Sequence, residues 1–289
     1  MHSNAVSTRN VVIASCFILS AEASFAGVSA LVKHLSDDQS FAQLVFFRNV
    51  MAFIVLLPWL LRKGPSALRT EKLGLHLLRG TAGVAAMYLF FFAIATIPLA
   101  QATLVLLLSP FLIPIIGRVW LKEYVARQTW LAILLGFVGV FIFLSPWQAS
   151  ISPIVGVAFI AAVFAAFTKT VIRKMSVTES TSKIVFYFST YATIASAIPL
   201  IWLWQPMPYE DWLGVIAMGS LAVYGQLAMT KAFSIAPPAK VGVFTYTSVM
   251  FAALLGYLFF DEVVAWHMFW GAIIIIIAGY FAIHTRRKS

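Results

Sequence analysis

The chain has 289 residues, 62% of them hydrophobic and 10% charged, with a mean hydropathy of +0.94. Soluble chains are about 25% charged, so this composition excludes an ordinary water-soluble fold and makes the bilayer the solvent. The net charge of +10 lies in short basic clusters between apolar runs, which orients a membrane protein rather than binding nucleic acid, and the single cysteine, Cys16, excludes an internal disulfide and a thiolate metal site.

Ten continuous apolar runs, roughly 18–24 residues each, predict transmembrane helices. They lie at about 11–32, 41–61, 74–96, 98–118, 128–145, 153–173, 184–204, 211–232, 239–260 and 264–284. The runs do not alternate, which favours helices over a barrel. At the N-terminus, Arg9, Val11 to Ser20 and Ala21-Glu22-Ala23 imitate a secretory leader. The apolar run continues through Phe25 to Val32, so an uncleaved first span is expected.

Loop charges set the orientation. Eighteen of the twenty basic residues fall on one side, including Arg9, the cluster Arg62 to Arg79, Arg118 to Arg127, Lys169 to Lys183, and Arg286 to Lys288. Asp37, Asp38, Glu210, Asp211, Asp261 and Glu262 fall on the other. Both termini are expected in the cytoplasm of a cell whose inner membrane holds the protein.

The chain also repeats itself. IPLAQATLVLLLSPFLIPIIGRVWLKE (97–123) and APPAKVGVFTYTSVMFAALLGYLFFDE (236–262) align at an offset of 139, which pairs Pro98 with Pro237, Ala100 with Ala239, Ser109 with Ser248, Gly117 with Gly256 and Glu123 with Glu262. Five spans per half is odd, so the halves, 1–149 and 150–289, enter the membrane from opposite sides. An all-α fold of two inverted five-helix repeats follows, and such repeats point to a transporter.

The stretches LVKHL (31–35), FFRNV (46–50), RGTAGVAAMYLFFFAIATIPLAQAT (79–103) and FAALLGYLFFDE (251–262) resemble the drug/metabolite transporter superfamily of the two-repeat EamA type. Phe25-Ala26 stands where that pattern often has Trp-Gly. The resemblance implies ten helices around a central cavity lined mostly by spans other than five and ten. It also implies substrates among amino acids, amines, nucleotide-like cofactors, vitamins and drugs.

Candidate substrate-binding residues are Glu22, Arg48, Tyr88, Gln101, Tyr224, Gln226 and Tyr246. Glu22 lies mid-span, where an acid is costly and faces a cavity or a partner. It can bind an amine, carry a proton, or sit hydrogen-bonded to a neighbouring helix; its repeat counterpart is Ala162. Arg48 can clamp a carboxylate with both arms of its guanidinium. The nearby acids favour an ion pair with Asp37, Asp38 or Glu22. Lys169 is expected to snorkel to the cytoplasmic side. Tyr88, Gln101, Tyr224, Gln226 and Tyr246 belong to a band of aromatic, amide and hydroxyl groups suited to a small organic ligand. For most of that band, helix–helix hydrogen bonding is the simpler role. Gly136 and Gly139 are spaced for close helix contact, and Pro110, Pro114 and Pro199 for bends.

The histidines (2, 34, 76, 267, 284) are scattered, so no metal or other cofactor is expected. No phosphate-binding loop is present, so ATP is not the direct energy source. An enzyme would need acids or histidines clustered at the interface, and none are. The expected function is secondary transport of small organic metabolites by alternating access, with proton coupling through Glu22 as one role. Export of amino acids or their derivatives comes first, and uptake of a cofactor such as S-adenosylmethionine or riboflavin second. A channel fits scattered polar groups less well than a gated cavity does. The oligomeric state is not encoded in these patterns.

Overall fold

The computed structural model describes residues 8–35, 39–96, 105–144, 154–259 and 265–284, and their regular elements are all helical. Backbone groups in hydrocarbon must pair within their own segment, and a helix is the local way to do so. In order the helices are α1 (Thr8–Leu35), α2 (Phe41–Lys63), α3 (Leu73–Thr96), α4 (Ser109–Ile116), α5 (Arg127–Leu144) and α6 (Val155–Met175). They continue as α7 (Thr181–Ala197), α8 (Leu200–Leu203), α9 (Trp212–Ile235), α10 (Pro238–Val241), α11 (Ser248–Phe259) and α12 (Trp266–His284).

Local chemistry sets several boundaries. The Ser40 and Ser180 hydroxyls accept from the backbone N–H of Gln43 and Lys183, both at 3.4 Å, and so cap α2 and α7. Gly64 ends α2 at φ 76°, a conformation that favours glycine. Pro199 separates α7 from α8, as the sequence suggests. The ninth run, expected as one apolar span, is instead α10, a 3-10 turn at Gly242–Thr247, and α11. Helix α4 contains Pro114 and opens into a π-turn at Gly117–Leu121.

Among the described residues, six stretches are long and apolar enough to cross a membrane: those built on α1, α2, α3, α6, α9 and the α10–α11 composite. Ser109–Leu121, Arg127–Phe143 and Trp266–Ala282 are shorter apolar helices. The outer faces of α5 and α12 expose Leu131, Leu134, Phe141, Trp270, Ile276 and Phe281. Contiguous apolar surface of that kind belongs against lipid.

Packing joins the two halves. Helix α1 packs on α9 and α11; α6 packs on α3 and α4. Helix α2 meets α7 and α9, α3 meets α7, and α5 meets α12. Exchanging α1, α2, α3, α4 and α5 for α6, α7, α9, α11 and α12 turns this set of contacts into itself, while among the described residues the smaller contacts of α9 with α6 and α7 have no such counterpart. The largest core cluster gathers around Tyr246 and draws on α1, α5, α6, α9, α11 and α12 through Ile18, Val140, Ile172, Phe233, Val249 and Ile275. The half boundary at 145–153 lies outside the described residues.

Candidate functional site

Among the described residues Arg79 is the largest fully buried side chain, at 2% exposure. It lies about two turns into α3, where counting it with the basic loop places it at the membrane surface. The structure corrects that placement. Its Nη2 donates to Gln226 Oε1 on α9 at 2.9 Å, and its guanidinium carbon lies 3.7 Å above the Phe188 ring of α7. Its Nε and Nη1 are buried and have no hydrogen-bond partner. Gly83 makes the room: a Cβ there would fall 2.7 Å from Nη1 and 2.8 Å from Phe188 Cε2.

Arg48 reaches the same region from α2. Its Nη1 points at Met87 Sδ, 2.9 Å away, and its buried Nε has no partner. A thioether is a weak acceptor, so this guanidinium is hardly satisfied. The expected ion pair with Glu22 is absent, and Asp37 and Asp38 lie outside the described residues. The charge acting on Arg79 is that of Arg48. Met87 follows Gly83 by four residues on α3, about 6 Å along the helix, so the two guanidiniums sit roughly a turn apart. Further along α3, the Tyr88 hydroxyl is buried and unpartnered. His76, one turn before Arg79, stacks on Tyr187 with ring centres 4.2 Å apart and leaves both ring nitrogens unpaired.

The second polar group surrounds Glu22, which is 6% exposed. Lys169 of α6 is the charge facing its carboxylate, and the Thr245 hydroxyl lies beside it. Lys169 Nζ also donates to Ser109 Oγ at 3.5 Å, so it points inward rather than snorkelling to the surface. Tyr246, next to Thr245, is fully buried with an unpartnered hydroxyl, and its ring lies directly over Gly136 of α5.

Tyr224 of α9 is 51% exposed. Two residues along a helix turn through about 200°, so Tyr224 and Gln226 cannot both face the interior. Gln101 lies outside the described residues.

The profile of the EamA-like transporter family matches residues 12–145 and again residues 152–283. The chain belongs to this family. The pseudopaline exporter CntI of Pseudomonas aeruginosa is 33% identical, over 88% of this chain and 90% of that one. The riboflavin transporter of Vibrio cholerae is 30% identical, over 94% and 93%. The S-adenosylmethionine uptake transporter of Rickettsia prowazekii is 28% identical, over 89% and 87%. A solved crystal structure matches with a TM-score of 0.79 at 19% identity, covering 93% of this chain and 96% of that one, and so shares the fold. As an EamA-like chain with transporter relatives, the protein is a multi-pass membrane transporter of a small molecule.

Outside the spans, the turn between α6 and α7 holds Glu179. Thr70 donates to its Oε1 at 2.7 Å, and Lys183 Nζ lies 2.8 Å from its Oε2. Burial pushes this carboxyl up, but Lys183 and Thr70 outweigh it and hold it below its ordinary value of 4.5. A depressed carboxylate stabilises the fold above its unfolded pKa, and that contribution is lost as pH falls through the folded one. The melting difference between wild type and Glu179→Gln is therefore expected to hold steady from pH ~7 to ~5 and to close in stronger acid. A difference that widens on acidification would contradict this assignment.

Proposed function

We propose that this EamA-like chain is a ten-span secondary carrier built from two inverted repeats, 1–149 and 150–289, with both termini cytoplasmic. It moves amino acids or their derivatives outward across the inner membrane by alternating access. The observation that carries the mechanism is the set of inter-helix contacts that exchanging the halves leaves unchanged. Halves related in that way can rock about a shared interior and trade an inward opening for an outward one. Polar groups from both halves meet in two clusters, Arg48 and Arg79 with Gln226, and Glu22 with Lys169 and Thr245. A relative that is an exporter, CntI, supports the outward direction.

Counterflow in proteoliposomes tests this reading. Vesicles are preloaded in turn with amino acids, purine cofactors or vitamins, and each class is paired with its own labelled tracer. Saturable, trans-stimulated exchange by amino acids is the expected result. Flux that rises linearly with concentration would replace the carrier with a pore. Exchange confined to vitamins or purine cofactors would move the protein to the second reading, cofactor uptake. The names of the riboflavin and S-adenosylmethionine relatives favour that reading over any third.

Proton coupling runs through Glu22 in this scheme. Protonating its carboxylate releases the attraction on Lys169 and lets α1 and α6 separate. A Glu22→Gln variant is expected to keep substrate affinity and to lose the pH dependence of transport between mildly acidic and mildly alkaline buffer. Unchanged rate and unchanged pH dependence would remove Glu22 from the coupling step.

A further inference from the structure

Charge inside the helical bundle does not balance. Among the described residues, the span interiors hold Arg48, Arg79 and Lys169 against one carboxylate, that of Glu22. Lys169 faces that carboxylate, while the charge acting on Arg79 is the like charge of Arg48. Two guanidiniums a turn apart, without an acid between them, are costly in a low-dielectric interior. Removing an ion from water is repaid only by a partner of opposite charge with good hydrogen-bond geometry. The protein supplies Gln226 Oε1, the Phe188 ring and Met87 Sδ, all neutral. Three buried guanidinium nitrogens, Nε of Arg48 and Nε and Nη1 of Arg79, are left without acceptors.

We infer that Arg48 and Arg79 together bind an anionic oxygen group of the transported molecule, a carboxylate or a phosphate. The inference rests on the carrier reading above and names the substrate class for that interior. Several features fit an anion rather than a structural pair. Phe188 supports the flat face of the Arg79 guanidinium and leaves its N–H edge free for in-plane acceptors. Gly83 lets the guanidinium pack close against α3, since a Cβ there would fall 2.7 Å from Nη1. Gln226 fixes Nη2 with its oxygen and has its amide N–H free to donate to the same ligand. A neutral ligand would leave the two positive charges uncompensated, so the site selects against vitamins that lack an acid group.

The test uses the full chain in detergent and in proteoliposomes. The probes are amino acids, the same amino acids as carboxamides, glycerol phosphate and riboflavin, and the variants are Arg48→Gln, Arg79→Gln and Arg79→Lys. Amino acids are expected to raise the melting midpoint of the wild type while their carboxamides do not. Each Arg→Gln variant is expected to weaken that ligand-induced shift ~100-fold in concentration, the loss of one charge-assisted, two-armed contact. Arg79→Lys, which keeps the charge without the fork, falls between.

A readout without ligand separates this from a structural role. Arg48→Gln is expected to melt at or above the wild type, because it removes a poorly partnered buried charge; a clearly lower midpoint overturns the proposal. Stabilisation by glycerol phosphate and not by amino acids would keep the anion site and overturn the amino-acid reading. Stabilisation by riboflavin, equal in wild type and both Arg→Gln variants, would overturn the anion site and leave the carrier standing.

Discussion

Gly271→Ala is expected to destabilise the protein by about 2–3 kcal/mol, the upper range for overpacking an interior that cannot yield. Helices α5 and α12 cross so closely that a Cβ at residue 271 would fall 2.6 Å from Gly139 O, 2.6 Å from Phe143 Cβ and 2.7 Å from Phe143 Cα. Two of those atoms are backbone, which no rotamer change moves. From the other side, a Cβ on Gly139 would meet Gly271 O and Ile275 N, each at 3.0 Å. Membrane helices have little hydrophobic drive to associate, so close backbone approach through small residues supplies much of their attraction. The measurement is the melting midpoint of purified protein, with Gly74→Ala as the control. Nothing lies within 4 Å of a Cβ at Gly74, and alanine is the better helix former by up to about 1 kcal/mol. Equal behaviour of the two variants would show that the α5–α12 crossing is looser than these distances require.

Close contact along α5 was legible in the sequence, because Gly136 and Gly139 sit in an otherwise bulky apolar run; Gly139 meets α12, whereas Gly136 lies under Tyr246. The helical class and the family were legible for a similar reason: long apolar runs and a repeated segment survive any detail of packing. The interior was read less completely. Glu22, Arg48 and Gln226 stood out because polarity at mid-span has few explanations. Arg79 did not, because it follows Arg62 to Lys72 closely enough to pass for loop charge. Its signal was the spacing Arg79-x-x-x-Gly83, a long cation with a gap one turn ahead on its own face. Lys169 pointed inward because Glu22 and Ser109 await it, and both come from other helices, which spacing within span six cannot reveal. Periodicity alone shows that Tyr224 and Gln226 point to different faces of one helix. The 3-10 turn at Gly242–Thr247 had no local signal beyond its glycine and hydroxyl residues. It places Thr245 and Tyr246 beside α1 and α5, so tertiary contact decides its form.

Arg173→Gln is expected to loosen the end of the bundle where α6, α9 and the segment after α4 meet, and to slow exchange. One guanidinium joins all three. Its Nε lies 3.3 Å from Glu123 Oε1, and its Nη1 donates to Phe233 O at 3.1 Å and Ser234 O at 3.2 Å. Those carbonyls belong to the last turn of α9, where the helix dipole favours a cation. Glu123 is aimed at Arg173 by a left-handed turn at Lys122, φ 55°, an uncommon conformation for a residue other than glycine. Lys174 adds a second link, its Nζ 4.2 Å above the Trp120 ring. The Arg173 and Glu123 side chains are about a quarter exposed, at 23% and 24%. With solvent screening the Arg173 contacts are together worth about 2 kcal/mol, roughly a 30-fold shift between closed and open forms. Spin labels on Tyr124→Cys and Lys231→Cys, with Cys16→Ser as background, span this junction. In Arg173→Gln their distance distribution is expected to lengthen and broaden and, under the alternating access proposed above, counterflow to fall, because that cycle requires each end to close. Arg173→Lys keeps an ion pair with Glu123 but cannot reach both carbonyls in the same fork, and lies between. An unchanged distribution in Arg173→Gln would reduce this cluster to surface packing and place the closing contact on another part of the interface.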